Sequence, residues 1–460
     1  MADRKIIKQT CAITLDPAVG DFACADILIE GEKIVAIAPH ILADDAEIID
    51  GTNTIAVPGF VDAHRHSWQT TIRNMNSDMT FMEYVTQLNP KYGEIHKPEH
   101  KYIGVLVGAL EALDAGVTTI VEYGISVEGP DCSDAMIQGL KEAGVRGLYC
   151  HGVPSDWQKW WMDSALPHPA DDAHRVCRDH FSASDGLLGF GMALRGPERT
   201  LSAVNRDDFA LARDLGARIT LHVDAPGAIE FMRDYLGDDT CYVHCCRSTQ
   251  LDLELIRDSG GHVNVTAECE MGMHNAPVTK RLLDAGLRPS LGVDGGGTIS
   301  GDMFMPMRIA YQEARMRFLE EGWGRGEPLW RSAITTRDAL EWGTIEGARQ
   351  FGLDDRIGSL TPGKQADIVL LRHDSLHMSP MNHPVAAVVL SASPRDVDTV
   401  LIAGKVRKRH GKLVNVDVER ARRLIYEARD YLFATAGQPD YCALKQDYHS
   451  CGQANGCIAH

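Results

Sequence analysis

Between residues 57 and 294 the chain alternates β-prone apolar runs with amphipathic helical stretches, and it completes that alternation eight times. The strand candidates fall at 57–66, 117–124, 145–153, 187–195, 217–224, 240–246, 261–268 and 288–294. Helical periodicity occupies 102–115, 134–143, 207–215 and 278–285. Three of these stretches run into Gly116, Gly144 or Gly286, a residue type that readily ends a helix. Eight successive units predict an α/β fold of the closed (β/α)8 TIM-barrel type rather than an open doubly wound sheet. An open sheet would also want a glycine-rich phosphate loop after its first strand, where this chain has Ser67-Trp68-Gln69-Thr70. Short alternating runs near 11–15, 25–30, 33–37 and 47–49 have counterparts late in the chain at 366–371 and 397–406. They predict a small β-sandwich domain formed by both termini, 1–56 with 360–415. The barrel then occupies 57–359, and 416–460 forms a C-terminal helix and tail.

Barrels of this type carry their chemistry at the C-terminal ends of the strands. The first candidate strand ends in His64-Arg65-His66, and residues two apart on a strand share a face, so both imidazoles project together. The fifth strand carries His222, the sixth carries His244, and the eighth ends at Asp294 before Gly295-Gly296-Gly297. A single histidine at a strand end is usually a hydrogen-bonded core residue, and Asp before glycines is usually turn chemistry. Five such residues gathered at one barrel mouth have the donor set of a transition-metal site. A divalent metal ion is expected, zinc first, with iron, cobalt or manganese as alternatives, since mixed nitrogen and oxygen donors do not decide between them.

A net charge of −18 excludes nucleic acid and anionic membrane as natural partners, because both require a cationic surface. No apolar run is long enough to span a bilayer, and no signal-peptide core follows Met1, so a cytoplasmic address is expected. Twelve cysteines in 460 residues do not form the close framework of a small secreted domain, which predicts free thiols. Cys442, Cys451 and Cys457, with His449 and His460, match no zinc spacing. That tail is expected to pack on a neighbouring subunit of a homo-oligomer.

Several stretches together resemble the amidohydrolase superfamily, in the subgroup of cytosine deaminases, guanine deaminases and triazine chlorohydrolases. They are Val57-Pro58-Gly59-Phe60-Val61-Asp62-Ala63-His64, Gly347-Ala348-Arg349, the run from Ile357-Gly358-Ser359 through Pro362-Gly363-Lys364 to Ala366-Asp367-Ile368-Val369, and Asp396-Val397-Asp398-Thr399-Val400 before Gly404-Lys405. The resemblance spans roughly residues 20 to 415 and implies a (β/α)8 barrel flanked by a β-sandwich. It implies that His64, His66, His222 and Asp294 ligate the metal. His244 would sit beside the activated water or the substrate, and Asp294 would also carry the catalytic proton. Two-metal members use a bridging Lys or Glu at the end of the fourth strand. Here that strand ends Ala193-Leu194-Arg195-Gly196, so one metal is expected.

The chain departs from the subgroup at the fifth strand. The deaminase pattern His-x-x-Glu, whose Glu shuttles a proton, becomes His222-Val223-Asp224-Ala225. Alanine cannot move a proton, and Glu268 or Glu270 of the loop after the seventh strand is the expected replacement, with Glu270 taken as catalytic. Trp68, Gln69, Glu122 and His151 are expected to bind substrate, with Arg195 and Asp302 as further pocket candidates. Trp157, Trp160 and Trp161 suit an apolar lid or a subunit contact, and Met303, Met305, Met307 and Met316 suit pocket lining or core.

Loss of the shuttle Glu puts one activity first, hydrolysis of a non-peptide C–N bond in a small urea, carbamate or amide-like substrate. Such a carbonyl needs only hydroxide, an electrophile and a proton for the leaving group. The alternative is an aminohydrolase or chlorohydrolase acting on an N-heterocycle such as a pyrimidine, purine or triazine. A non-catalytic barrel retaining its metal is disfavoured, because every expected ligand is present.

Overall fold

The computed structural model describes residues 4–182, 186–296, 299–326 and 328–438. Gly297 and the cysteine- and histidine-containing tail positions from 442 onward lie outside the described residues. Five strands come first: β1 (Arg4–Ala12), β2 (Phe22–Glu30), β3 (Lys33–Ala38), β4 (Glu47–Asp50) and β5 (Thr54–Pro58). The central strands are β6 (Phe60–His66), β7 (Val117–Tyr123), β8 (Arg146–His151), β9 (Leu188–Leu194), β10 (Arg218–Val223), β11 (Thr240–His244), β12 (His262–Val265), β13 (Ser290–Leu291) and β14 (Asp294–Gly295). The last four are β15 (Ile368–Arg372), β16 (Val397–Ile402), β17 (Lys405–Arg409) and β18 (Lys412–Leu413).

The central strands pair in parallel in the order β13-β12-β11-β10-β9-β8-β7-β6-β14. Strands β13 and β14 are two halves of the predicted eighth strand. One half pairs Ser290 with Asn264, the other pairs Asp294 with Arg65, and together they close the barrel. The sequence pattern predicts one uninterrupted strand over 288–294, and local packing explains the break. A Cβ on Gly292 would lie 2.8 Å from the backbone N and O of His64, so only glycine fits there. The Val293 N–H then donates to the buried Asp62 carboxylate at 3.0 Å, and Asp294 adopts φ +76°. The Asp294 carboxylate thus arrives on a bend held by the neighbouring strand.

Helices return the chain between strands, as parallel connections require. Two begin earlier than periodicity suggests, at Pro98–Asp114 and Pro130–Ala143, because proline is favoured in the first helical turn. Gly144 ends the second of these in the left-handed conformation, φ +69°. No helix among the described residues is long and apolar enough to cross a membrane.

Strands from both ends form the other, mixed sheet, in the order β18-β17-β16-β15-β5-β1-β2-β3 with β4 paired to β1. Its centre is β5 antiparallel to β15, with Val57 opposite Val369. A buried ion pair joins this sheet to the barrel. Arg146, at the start of β8, reaches Asp367 with Nε–Oδ2 2.8 Å and Nη2–Oδ1 3.1 Å. Asp367 also accepts the Ala403 N–H at 2.7 Å. Replacing it by alanine strands the Arg146 guanidinium in the interior. Asp367→Ala is therefore expected to destabilise by about 3 kcal/mol in urea unfolding, and an unchanged midpoint would show that the pair is not holding the two sheets together.

Candidate active site and metal centre

The period-2 alternation of β6 brings His64 and His66 to one end of the barrel, with ring centroids 4.8 Å apart. His222, on β10, faces them across the mouth, its Nε2 3.2 Å from His64 Nε2. The three histidines offer nitrogens within 4.8 Å of one another. Asp294 completes the group, with Oδ1 3.2 Å from His66 Nε2 and 3.7 Å from His64 Nε2. Zinc bonds of about 2.0–2.1 Å place tetrahedral donors roughly 3.4 Å apart, so the shortest of these separations fit a single cation. Burial pushes the His64 imidazole down to about 4 and that of His222 well below the ordinary histidine range, which keeps both rings in the neutral, ligating form. Burial alone would raise Asp294, but His64 and His66 beside it hold the carboxyl well below its ordinary range. The buried rings and the carboxylate fit a divalent ion. Behind them, His66 Nδ1 lies 3.3 Å from the Tyr123 carbonyl, a donor position that leaves Nε2 for the ion.

His244 ends β11 with its Nε2 3.7 Å from Asp294 Oδ2 and its Nδ1 3.1 Å from Thr266 Oγ1. His244, Cys245 and Asp294 all adopt left-handed backbone angles, φ +73°, +55° and +76°. Such angles in non-glycine residues concentrate where surrounding structure fixes a functional group.

A cavity opens in front of these residues. Of the expected residues, it is lined by His66, Gln69, Trp157, Trp161, Arg195, His222, His244 and Asp294. Several others are elsewhere. Glu270 is fully buried behind His244, with Oε1 3.4 Å from His244 Nδ1 and accepting the Thr266 N–H at 2.9 Å, and it does not line the cavity. Glu268 is held by Ser300. Trp68 is fully buried, because the strand gives way at Ser67 to a 3-10 turn and its indole packs under Lys101 and beside His96. Glu122 accepts the Ser67 N–H at 2.9 Å behind His66, and burial pushes its carboxyl up to about 7. His151 is enclosed between His168 (2.8 Å) and Asp172 (2.9 Å), and Asp302 caps the helix Phe304–Gly324. Arg195 lines the wall but is anchored to Asp208 at 2.9 Å.

Residues not anticipated from sequence complete the cavity. Phe81 and Tyr84 come from the segment between His66 and Pro98, with Tyr84 hydroxyl 2.5 Å from Gln69 Nε2. Roughly 30 residues between a barrel strand and its helix was the available signal, since connections of that length usually serve a site. Trp157 and Trp161 stack with planes 6° apart, and the Arg199 guanidinium lies 5.0 Å from the Trp157 ring. Glu198 also lines the cavity, its Oε1 accepting the N–H groups of Asp224 (2.7 Å) and Ala225 (2.8 Å).

Residues 55–407 match the model of the Amidohydrolase family. The chain is 27% identical over 437 residues to a 5-methylthioadenosine/S-adenosylhomocysteine deaminase from Pelotomaculum thermopropionicum, covering 90% of this chain and 95% of that one. It is 26% identical over 414 residues to a 5'-deoxyadenosine deaminase from Methanothermobacter thermautotrophicus, covering 86% and 91%. In fold it is similar to an adenosine deaminase from Xanthomonas campestris with bound zinc, with TM-score 0.80, 21% identity and 93% and 98% coverage. It is equally similar to a variant of atrazine chlorohydrolase from Arthrobacter aurescens in complex with zinc and atraton, with TM-score 0.81, 19% identity and 92% and 99% coverage. At these identities the structural matches speak to fold alone.

Proposed function

The chain belongs to the amidohydrolase family and is a metal-dependent hydrolase of non-peptide C–N bonds. From that premise we propose that it is a zinc-dependent aminohydrolase, replacing the amino group of an aromatic N-heterocycle by oxygen with release of ammonia. The observation that carries this reading is a cavity lined by His66, His222, His244 and Asp294 together with the aromatic rings of Phe81, Tyr84, Trp157 and Trp161. Such a slot suits a planar π-system more than a small flexible urea. The named deaminases among the relatives act on 6-aminopurine compounds, which supports the same class. The urea or carbamate activity suggested by Ala225 therefore takes second place.

When bound at His64, His66, His222 and Asp294, a divalent cation supplies the charge that acidifies water near neutral pH. Asp294, ionised and next to His244, accepts the proton of the attacking water and returns one to the departing amine. Glu270 and Thr266 accept the Nδ1–H of His244, so the ring presents Nε2 to the substrate and, as the imidazolium, donates from it toward negative charge developing there. The aromatic wall fixes the plane of the ring against this pair.

A panel of aminopurine nucleosides, aminopyrimidines, aminopteridines, triazines, ureas and carbamates, offered to zinc-loaded protein, tests the proposal. Ammonia with an amino-to-oxo exchange in the heterocycle supports it. Amine and carbon dioxide from ureas or carbamates, or chloride alone from halotriazines, would overturn it in favour of the other hydrolases.

A further inference from the structure

Resting on that reading, we propose that Glu198 is the acid that protonates the ring nitrogen of the substrate, supplied from the loop after β9 to the mouth of β10. Glu198 lines the cavity, and its Oε1 is clamped by two adjacent N–H groups, those of Asp224 and Ala225, at 2.7 and 2.8 Å. These amides follow β10 directly, two and three residues beyond the metal-site His222. The carboxyl thus occupies the mouth of β10, where the strand's own side chain is the methyl of Ala225. Its second oxygen has no hydrogen-bond partner among the described residues and is available to a ligand.

The loop that presents Glu198 is built rather than slack. Thr200 Oγ1 and the Arg199 N–H both reach back to the Gly196 carbonyl, at 3.0 and 3.3 Å, and the Ser164 N–H binds the Arg199 carbonyl at 2.9 Å. The Arg199 guanidinium rests over Trp157, so the same turn carries the acid and part of the aromatic wall. A carboxyl fixed by two amides through one oxygen holds its other oxygen in a defined direction, as proton transfer to a bound ring requires.

Water oxygen bonds to the amino-bearing carbon, and the C=N π pair moves to the ring nitrogen, which takes the proton of Glu198. Asp294 takes one proton from the water and delivers it to the amino group, the C–N bond breaks, and ammonia leaves. The hydroxyl proton is lost as the carbonyl forms, and Glu198 regains one from solvent. The sum is amino compound plus water giving oxo compound plus ammonia.

Glu198→Gln keeps an oxygen acceptor for the two amides and removes the transferable proton. Its kcat for ammonia release should fall about 100-fold, with KM within threefold and with zinc content and melting temperature unchanged. Glu198→Ala should fall at least as far, and Glu198→Ala/Ala225→Glu, which returns a carboxyl to the same mouth from β10, should recover about tenfold. Glu198→Gln turning over within threefold of wild type overturns the role of Glu198 while leaving the aminohydrolase reading standing. Wild type releasing ammonia from no heterocycle overturns both.

Discussion

Asp294→Asn is expected to lower kcat by about 10^3 to 10^4-fold with the fold intact, the upper range for loss of a positioned acid–base group. The substitution keeps the shape of the side chain and removes its charge and its capacity to take a proton. Among the described residues no other meets the same set of partners: Asp294 lies 3.2 Å from His66, and its other oxygen faces His244 and Thr266 at 3.7 and 3.4 Å. Its acidity, set by His64 and His66 against the opposing effect of burial, keeps it ionised through the neutral range. Chelation of the wild type should abolish ammonia release, and added zinc should restore it. The asparagine protein, even saturated with zinc, should stay inactive. The checks are kcat by coupled ammonia assay, zinc content by mass spectrometry, and circular dichroism to confirm the fold. An asparagine variant retaining a tenth of wild-type kcat would remove Asp294 from the proton path.

Much of this site was legible because strand periodicity and barrel geometry act over short distances. His64 and His66 are two apart on one strand, and His222, His244 and Asp294 stand at strand ends, so local spacing plus one topological rule brought them together. The failures occur where the strand stops. Trp68 is two residues beyond His66, yet the 3-10 turn at Ser67 breaks the alternation and sends the indole into the core. Glu270 lies in the expected loop, but the helical turn there directs it behind His244. Glu198 could not be read at all, since its meeting with residues 224 and 225 joins two loops that share no sequence pattern.

Stability should rise with pH between about 7 and 10 because of Lys101, and Lys101→Met should erase that rise. Lys101 sits in the helix Pro98–Asp114, fully buried, with Nζ 3.8 Å from the Trp68 ring centroid and no hydrogen-bond partner among the described residues. Burial pushes its pKa from 10.5 down to about 7, against a weaker upward pull from Cys132, Glu128 and Glu122. A base with a depressed folded-state pKa binds fewer protons folded than unfolded in the window between the two values. The folded state therefore gains about 1.4 kcal/mol per pH unit there, reaching roughly 5 kcal/mol across the window, and the contribution is flat below pH 7 where both states are protonated. Methionine retains the length and apolar stem, keeps contact with Trp68 and needs no proton. At pH 7 the Lys101→Met protein should therefore be more stable by roughly 4 kcal/mol, the gap closing as the pH passes about 10.5. Other groups titrate in that range, but they are common to both proteins and cancel in the difference. The measurement is paired urea unfolding across the window. Parallel curves for the two proteins would show that the ammonium is charged and compensated inside the helix packing, which the distances around Nζ do not provide.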